Sequence, residues 1–127
     1  MIKRLSTSAL LALLLSLPAT GHASQRYYTY DEFMAIAALT ALPPHTHDIF
    51  WQVFSLCEST GPNSTVDSWA TNPEGPSVGA GQIRVDVHVE IALRYDLYDL
   101  RQNLQAVAEI YDLQGYAAWS CYSALFR

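Results

Sequence analysis

The chain has 127 residues, of which 50% are hydrophobic and 15% are charged, and its formal net charge is −5. This length fits a single domain, and the apolar fraction is too high for a disordered protein. The acidic balance argues against a nucleic-acid partner, because phosphate binding needs a clustered basic surface. We therefore expect one small globular domain.

The N-terminus has the pattern of an export signal. Lys3 and Arg4 precede an apolar run over residues 9–17, and the small residues at 21–23 suit signal peptidase. An uncleaved anchor is the alternative, but the run is well short of the roughly 20 residues that span a bilayer. We expect cleavage after Ala23, which leaves a domain over residues 24–127 that is secreted to the periplasm or the external medium.

Two helices are predicted next along the chain. The first should begin near Asp31, with an apolar stripe that continues to Ala41 and ends at the proline pair 43–44. The second should begin at Thr46 as N-cap and run to about Glu58. Residues 59–77 are rich in turn formers and predict an exposed loop, with room for a short hairpin.

The second half of the chain gives one ambiguous and one clear element. Residues 85–95 fit both a strand and a helix, and periodicity alone does not separate the two. A clean helical stripe then follows Asp99, which can cap it, and Gly115 should end this helix. Residues 116–126 form an aromatic tail.

The two cysteines predict a disulfide. In an oxidising compartment an even cysteine count usually means pairing, and only Cys57 with Cys121 is possible. Closing this loop should stabilise the fold by about 4 kcal/mol. We expect no metal and no cofactor, because His45 and His47 have no third ligand indicated.

Glu58 is the main candidate for a catalytic residue. It lies near the C-terminal end of an apolar helix, where the helix dipole disfavours a negative charge, and Phe50, Trp51 and Phe54 could desolvate it. Both effects would raise its pKa, as a general acid requires. The alternative is a solvated glutamate at a frayed helix end.

Three short motifs occur in a fixed order: CESTG at residues 57–61, GAGQI at 79–83 and GYAAWSCY at 115–122. Their order resembles the lysozyme-like superfamily, specifically the lytic transglycosylases and the related resuscitation-promoting factors. The resemblance covers roughly residues 47–122. Ala80 and Gly81 depart from the bulkier residues of that family.

The resemblance implies a mainly α (α+β) lysozyme-like fold, with a small hairpin or loop beside the catalytic cleft and one disulfide. It implies cleavage of the bond between N-acetylmuramic acid and N-acetylglucosamine in peptidoglycan glycan strands, with Glu58 as the catalytic acid and base. Gln82 matches the cleft glutamine of the family, and Ser68 matches a loop serine only with a shift of one residue. Trp69 is a candidate for sugar stacking, and Asp67 could face the substrate.

Two alternatives stay open at this point. A hydrolytic muramidase would need a second carboxylate as nucleophile or base, for which Asp67, Glu74 and Asp86 are available. A non-catalytic module on the same fold would bind glycan or a cell-wall partner protein. In each case the protein is expected to be a monomer.

Overall fold

A computed structural model describes residues 25–127, and the predicted signal peptide lies outside these residues. Helices of all types account for about half of the described residues, and two small antiparallel sheets complete the structure, so the class is mainly α within α+β. The elements in chain order are β1 (Tyr27–Tyr28), α1 (Tyr30–Ala37), a 3₁₀ turn (Pro44–Thr46), α2 (His47–Val53), a π-helical turn (Phe54–Glu58), β2 (Val66–Asp67), β3 (Ser77–Val78), β4 (Ile83–Arg84), α3 (Val89–Arg94), α4 (Leu100–Gln114), a second 3₁₀ turn (Gly115–Ala118) and α5 (Ser120–Leu125).

Helix α1 begins as predicted but is shorter than predicted. Its N-terminus has a capping box, in which the Thr29 hydroxyl accepts from the Glu32 backbone N–H and the Glu32 carboxylate accepts from the Thr29 N–H. The predicted extension to Ala41 is wrong, since the helix ends at Ala37. The Thr40 hydroxyl donates to the Ala37 carbonyl at 2.7 Å, and such a local bond competes with the helical ladder.

Helix α2 follows Thr46 and continues to Glu58 through the π-helical turn, in agreement with the predicted bounds. The turn is closed by the Ser59 N–H, which donates to the Phe54 carbonyl at 2.8 Å. Phe50 and Phe54 are fully buried, and both rings contact Trp119 from the C-terminal segment. This aromatic cluster fixes the end of the helix against the tail of the chain.

The predicted loop after Glu58 contributes strands to both sheets. In the first sheet β2 pairs with β1, with Tyr27 opposite Asp67 and Tyr28 opposite Val66. In the second, β3 and β4 form a hairpin around a four-residue turn at residues 79–82. The sequence predicted an exposed loop over residues 59–77 with room for a hairpin within it. The hairpin instead spans residues 77–84, and residues 66–68 are buried because β2 pairs with the N-terminal segment.

The ambiguous segment 85–95 is a turn followed by the short helix α3. Helix α4 begins after Asp99, whose carboxylate accepts from the Gln102 N–H at 3.0 Å, and it ends at Gly115, which has a φ of +62°. Both of these boundaries agree with the sequence prediction. The buried face of α4 packs against α1 and closes the core.

The predicted disulfide is present between Cys57 and Cys121, whose Cα atoms are 5.9 Å apart. A disulfide of this kind is typical of an oxidising, extracellular-type environment. In the described part of the chain, none of the helices has both the length and the apolarity to cross a membrane.

Candidate functional site

Glu58 ends the π-helical turn and lies half-buried beside the disulfide. Its Oε2 accepts a long hydrogen bond of 3.4 Å from the Cys121 backbone N–H, which the adjacent Cys57–Cys121 bridge brings close. None of the salt bridges within residues 25–127 includes Glu58. π-Helical turns of this kind occur frequently at functional sites.

Burial raises the pKa of the Glu58 carboxyl above its ordinary value, because the surrounding protein disfavours the charged form. The hydrogen bond from Cys121 lowers the pKa by a smaller amount. The carboxyl therefore retains its proton to higher pH than an exposed glutamate does. This is the property that a general acid needs.

The 79–82 turn is joined to the residue after Glu58. The buried Ser59 hydroxyl donates to the Ala80 carbonyl at 2.7 Å. On the other side, the indole N–H of Trp119 donates to the Gly81 carbonyl at 2.8 Å. The three motifs that carry the family resemblance thus meet around two consecutive peptide groups.

Gln82 lies at the end of this turn with a φ of +45°, a conformation that is uncommon for a residue other than glycine. Its side-chain Nε2 donates to the carbonyl oxygens of Ala70 and Gly79, each at 3.0 Å. Its Oε1 makes no hydrogen bond among the contacts of the described residues. Backbone strain of this kind concentrates at binding and catalytic sites.

Asn103 is a positioning residue that the sequence analysis missed. It is fully buried on α4, where its Oδ1 accepts from the Gly81 N–H at 2.8 Å and its Nδ2 donates to the Leu97 carbonyl at 2.9 Å and the Val78 carbonyl at 3.3 Å. A Cβ at Gly79 would collide with the Leu97 carbonyl, so the turn can only approach α4 this closely with glycine there.

Asp67, Ser68 and Trp69 are adjacent in the chain but have different surroundings. Asp67 is buried, and its two oxygens accept from Nε and Nη2 of Arg26 at 2.9 and 3.0 Å. The buried Ser68 hydroxyl contacts the carbonyl oxygens of Arg26 and Gln25 at 2.7 and 3.1 Å. Trp69 alone among the three presents a large exposed surface.

Asp67 is nevertheless close to the Glu58 region through the backbone. Its N–H donates to the Ser59 carbonyl at 2.8 Å. The structure therefore places Glu58, the 79–82 turn and the 67–69 segment around Ser59. The remaining predicted carboxylates differ from Asp67, since Glu74 is exposed and Asp86 is an exposed partner of Arg84.

A surface depression of about 260 Å³ lies against the 79–82 turn. Its lining includes Gln82, His88, Gln114 and Trp119, but Glu58 does not line it. The depression thus combines an apolar wall with polar side chains that can bond to hydroxyl and amide groups, as ligand sites commonly do.

The described residues contain no group of three or more His, Cys, Asp or Glu side chains placed to hold a metal ion. Of the two histidines near the start of α2, His45 is exposed, whereas His47 is buried and its Nε2 lies 2.8 Å from the Leu42 carbonyl. These contacts assign His47 a structural role at the start of the helix.

Comparisons of the chain with protein-family models, with curated proteins and with solved structures each found no match. The residues and their geometry are therefore the basis for any assignment of function.

Proposed function

We propose that this protein is an exported lytic transglycosylase of lysozyme-like fold that cleaves peptidoglycan glycan strands. The observation that carries the proposal is the environment of Glu58, a half-buried carboxyl with a raised pKa and no cationic partner in the described structure. The order of the three motifs supports the same assignment. The disulfide supports export.

In the proposed reaction, the protonated Glu58 donates its proton to the glycosidic oxygen as the bond from that oxygen to the muramic acid C1 breaks. The 6-hydroxyl oxygen of the same muramic acid then attacks C1, and the carboxylate of Glu58 takes the hydroxyl proton. Glu58 ends in its initial protonated state. The products are a free N-acetylglucosamine 4-hydroxyl and a 1,6-anhydromuramic end, so neither water nor a second carboxylate is consumed.

The contacts of Asp67 and Asp86 favour this route over hydrolysis. Asp67 has both oxygens bonded to Arg26, and one of them also accepts from the Trp69 N–H at 2.9 Å. A base that activates water needs a free oxygen directed at the water. Asp86 is likewise bonded to Arg84. Glu74 is exposed in the loop, so it is the one of these three carboxylates whose oxygens are open to water.

The test is mass spectrometry of the soluble products released from purified peptidoglycan by the full, disulfide-bonded protein. We expect anhydromuropeptides from the wild type and a loss of about 10²–10⁴-fold in their rate of release for Glu58→Gln. Glu90→Gln is the matched control, because it makes the same chemical change at an exposed position on α3.

The products decide between the alternatives. Reducing-end muropeptides in place of anhydro ends would identify a hydrolytic muramidase. If the oxidised wild type binds the glycan but releases no product, the enzymatic assignment is wrong and the protein is a binding module. If products are released at the same rate by Glu58→Gln, the role assigned to Glu58 is wrong.

A further inference from the structure

Two exposed aromatic rings flank a guanidinium group on the outer side of the β1–β2 sheet. The Arg26 Cζ lies 4.9 Å from the centroid of the Tyr27 ring and 5.6 Å from the centroid of the Trp69 ring. Each of these two aromatic residues is 39% exposed. Tyr27 and Trp69 come from segments about 40 positions apart in the chain, and the β1–β2 pairing brings them together.

The cluster of Arg26, Tyr27 and Trp69 is held in one arrangement. The Asp67 carboxylate makes a two-point contact with the Arg26 guanidinium, which fixes the plane of the cation. The same carboxylate accepts from the Trp69 N–H, and the Ser68 N–H donates to the Arg26 carbonyl at 2.8 Å. The two rings are therefore exposed on a backbone that is held in place, and not on a loosely packed loop.

Hydrogen-bonding capacity remains on this surface. An arginine has five N–H donors, and Asp67 accepts from one on Nε and one on Nη2, which leaves three. The charge of Arg26 is balanced by Asp67. The surface therefore offers ring faces and edges together with a row of donors, without a net charge that would select an anion.

We infer that Arg26, Tyr27 and Trp69 form a carbohydrate-binding subsite that takes a pyranose ring of the glycan strand. A pyranose has an apolar C–H face that packs on an aromatic ring and a rim of oxygens that accept from the guanidinium. Asp67 is a positioning residue in this subsite, since it acts through Arg26 and Trp69. The inference rests on the proposed function for the identity of the glycan.

The position of the subsite suits a strand that also reaches Glu58. The Asp67 N–H donates to the carbonyl of Ser59, the residue that follows Glu58. The segment that carries the cluster is therefore bonded to the residue that follows the proposed catalytic glutamate, and we expect the subsite to act on substrate binding more than on the chemical step.

The experiment measures binding separately from turnover. Full-length Glu58→Gln protein is titrated with chitotetraose and is also sedimented with purified peptidoglycan, so that no substrate is consumed. Trp69→Ala, Tyr27→Ala and Arg26→Lys are added singly to this background. Tyr98→Ala is the matched control, because Tyr98 is an exposed tyrosine outside the cluster.

We expect Trp69→Ala and Tyr27→Ala each to weaken binding by about three- to tenfold, which is the effect of losing an aromatic contact. Arg26→Lys should also weaken binding, because lysine keeps the charge but lacks the fork that contacts Asp67. In the background with an intact Glu58, these variants should raise KM and leave kcat nearly unchanged.

The outcomes separate this inference from the proposed function. If the cluster variants bind both probes as tightly as Tyr98→Ala does, the subsite is wrong even when the wild type releases anhydromuropeptides. If the wild type releases no products but the cluster variants lose binding, cleavage is wrong and the subsite stands.

Discussion

Glu58 and Asp67 are two acidic residues whose backbones both connect to Ser59, yet the surroundings of their carboxylates are opposite. Glu58 is half-buried and has one long hydrogen bond from a backbone N–H. Asp67 is more buried, but a guanidinium occupies both of its oxygens. Burial therefore does not by itself decide whether a carboxyl can serve as an acid.

What differs is the group that compensates for the lost water. Both Asp67 oxygens are occupied by the Arg26 guanidinium, and one also accepts from the Trp69 N–H, so this carboxylate holds its neighbours in place. Without a cation, burial stabilises the protonated form and leaves a proton to donate. Under the proposed function, Glu58 carries out the chemistry and Asp67 positions Arg26 and Trp69, and the following changes test these two roles.

The largest effect is expected from removing the disulfide, which lies beside Glu58. Replacing Cys57 and Cys121 together by serine should lower the free energy of unfolding by about 4 kcal/mol, because the unfolded chain regains the freedom of a long loop. Urea denaturation at neutral pH measures it. The amides around Cys121 should also lose protection from hydrogen exchange before those of β1 and β2 do.

Reduction of the wild type with dithiothreitol is the control. It should reproduce the loss seen in the double variant and leave the variant itself unchanged. A double variant as stable as the oxidised wild type would show that the aromatic contacts of Trp119 hold the tail without the bridge.

The next largest effect is expected at Asn103, which holds the 79–82 turn in place. Asn103→Ala leaves the Gly81 N–H and the Leu97 carbonyl without their buried partner, and it should cost about 2–4 kcal/mol in the free energy of unfolding. Asn72→Ala is the control, since Asn72 is an exposed asparagine whose side chain bonds only locally. Equal stabilities of the two variants would contradict the role of Asn103.

Local sequence signals were sufficient for much of the fold. Asp99 and Gly115 mark the ends of α4 because a cap and a left-handed terminator act within one turn. The disulfide followed from having only two cysteines. The early end of α1 was missed because the Thr40 hydroxyl competes with the helix for the Ala37 carbonyl. A single threonine is a weaker sequence signal than an apolar stripe that continues past it.

The sequence predicted less about the parts of the candidate site that depend on contacts between distant segments of the chain. The pairing of Tyr27 with Asp67 joins segments whose separate patterns do not specify each other, and so Arg26 was missed as a partner. Asn103 did leave a signal. It is a polar residue three positions after Leu100 and four before Val107, on the apolar face of α4, where a polar side chain needs buried partners.

A smaller effect is expected from changing Asp67. Asp67→Asn keeps the shape of the side chain and removes its charge, so it should weaken glycan binding and keep the rate of product release within about tenfold of the wild type. Loss of a catalytic base would instead cost about 10²-fold or more. The measurement is the release of muropeptides at saturating peptidoglycan, with Glu90→Gln as the control. A loss as large as that of Glu58→Gln would assign Asp67 to the chemical step.

The smallest effect is on stability and depends on pH. The folded-state pKa of Glu58 is raised, mainly by burial, so its contribution to stability is fully present below the pKa of the unfolded chain and is lost as the pH rises through the folded-state pKa. Glutamine does not titrate. Relative to the wild type, Glu58→Gln should therefore gain melting temperature between mildly acidic and neutral pH.

Glu109→Gln supplies a control of opposite sign. The bonds from Arg94 and Tyr95 lower the pKa of Glu109, so its contribution is present above the unfolded-chain pKa and is lost as the pH falls through the folded-state pKa. Relative to the wild type, this variant should lose melting temperature at neutral pH and recover it in acid. Melting curves of both variants across the carboxyl range test the difference. If the Glu58→Gln curve runs parallel to that of the wild type, the raised pKa is wrong, and with it the physical argument for Glu58 as the proposed proton donor.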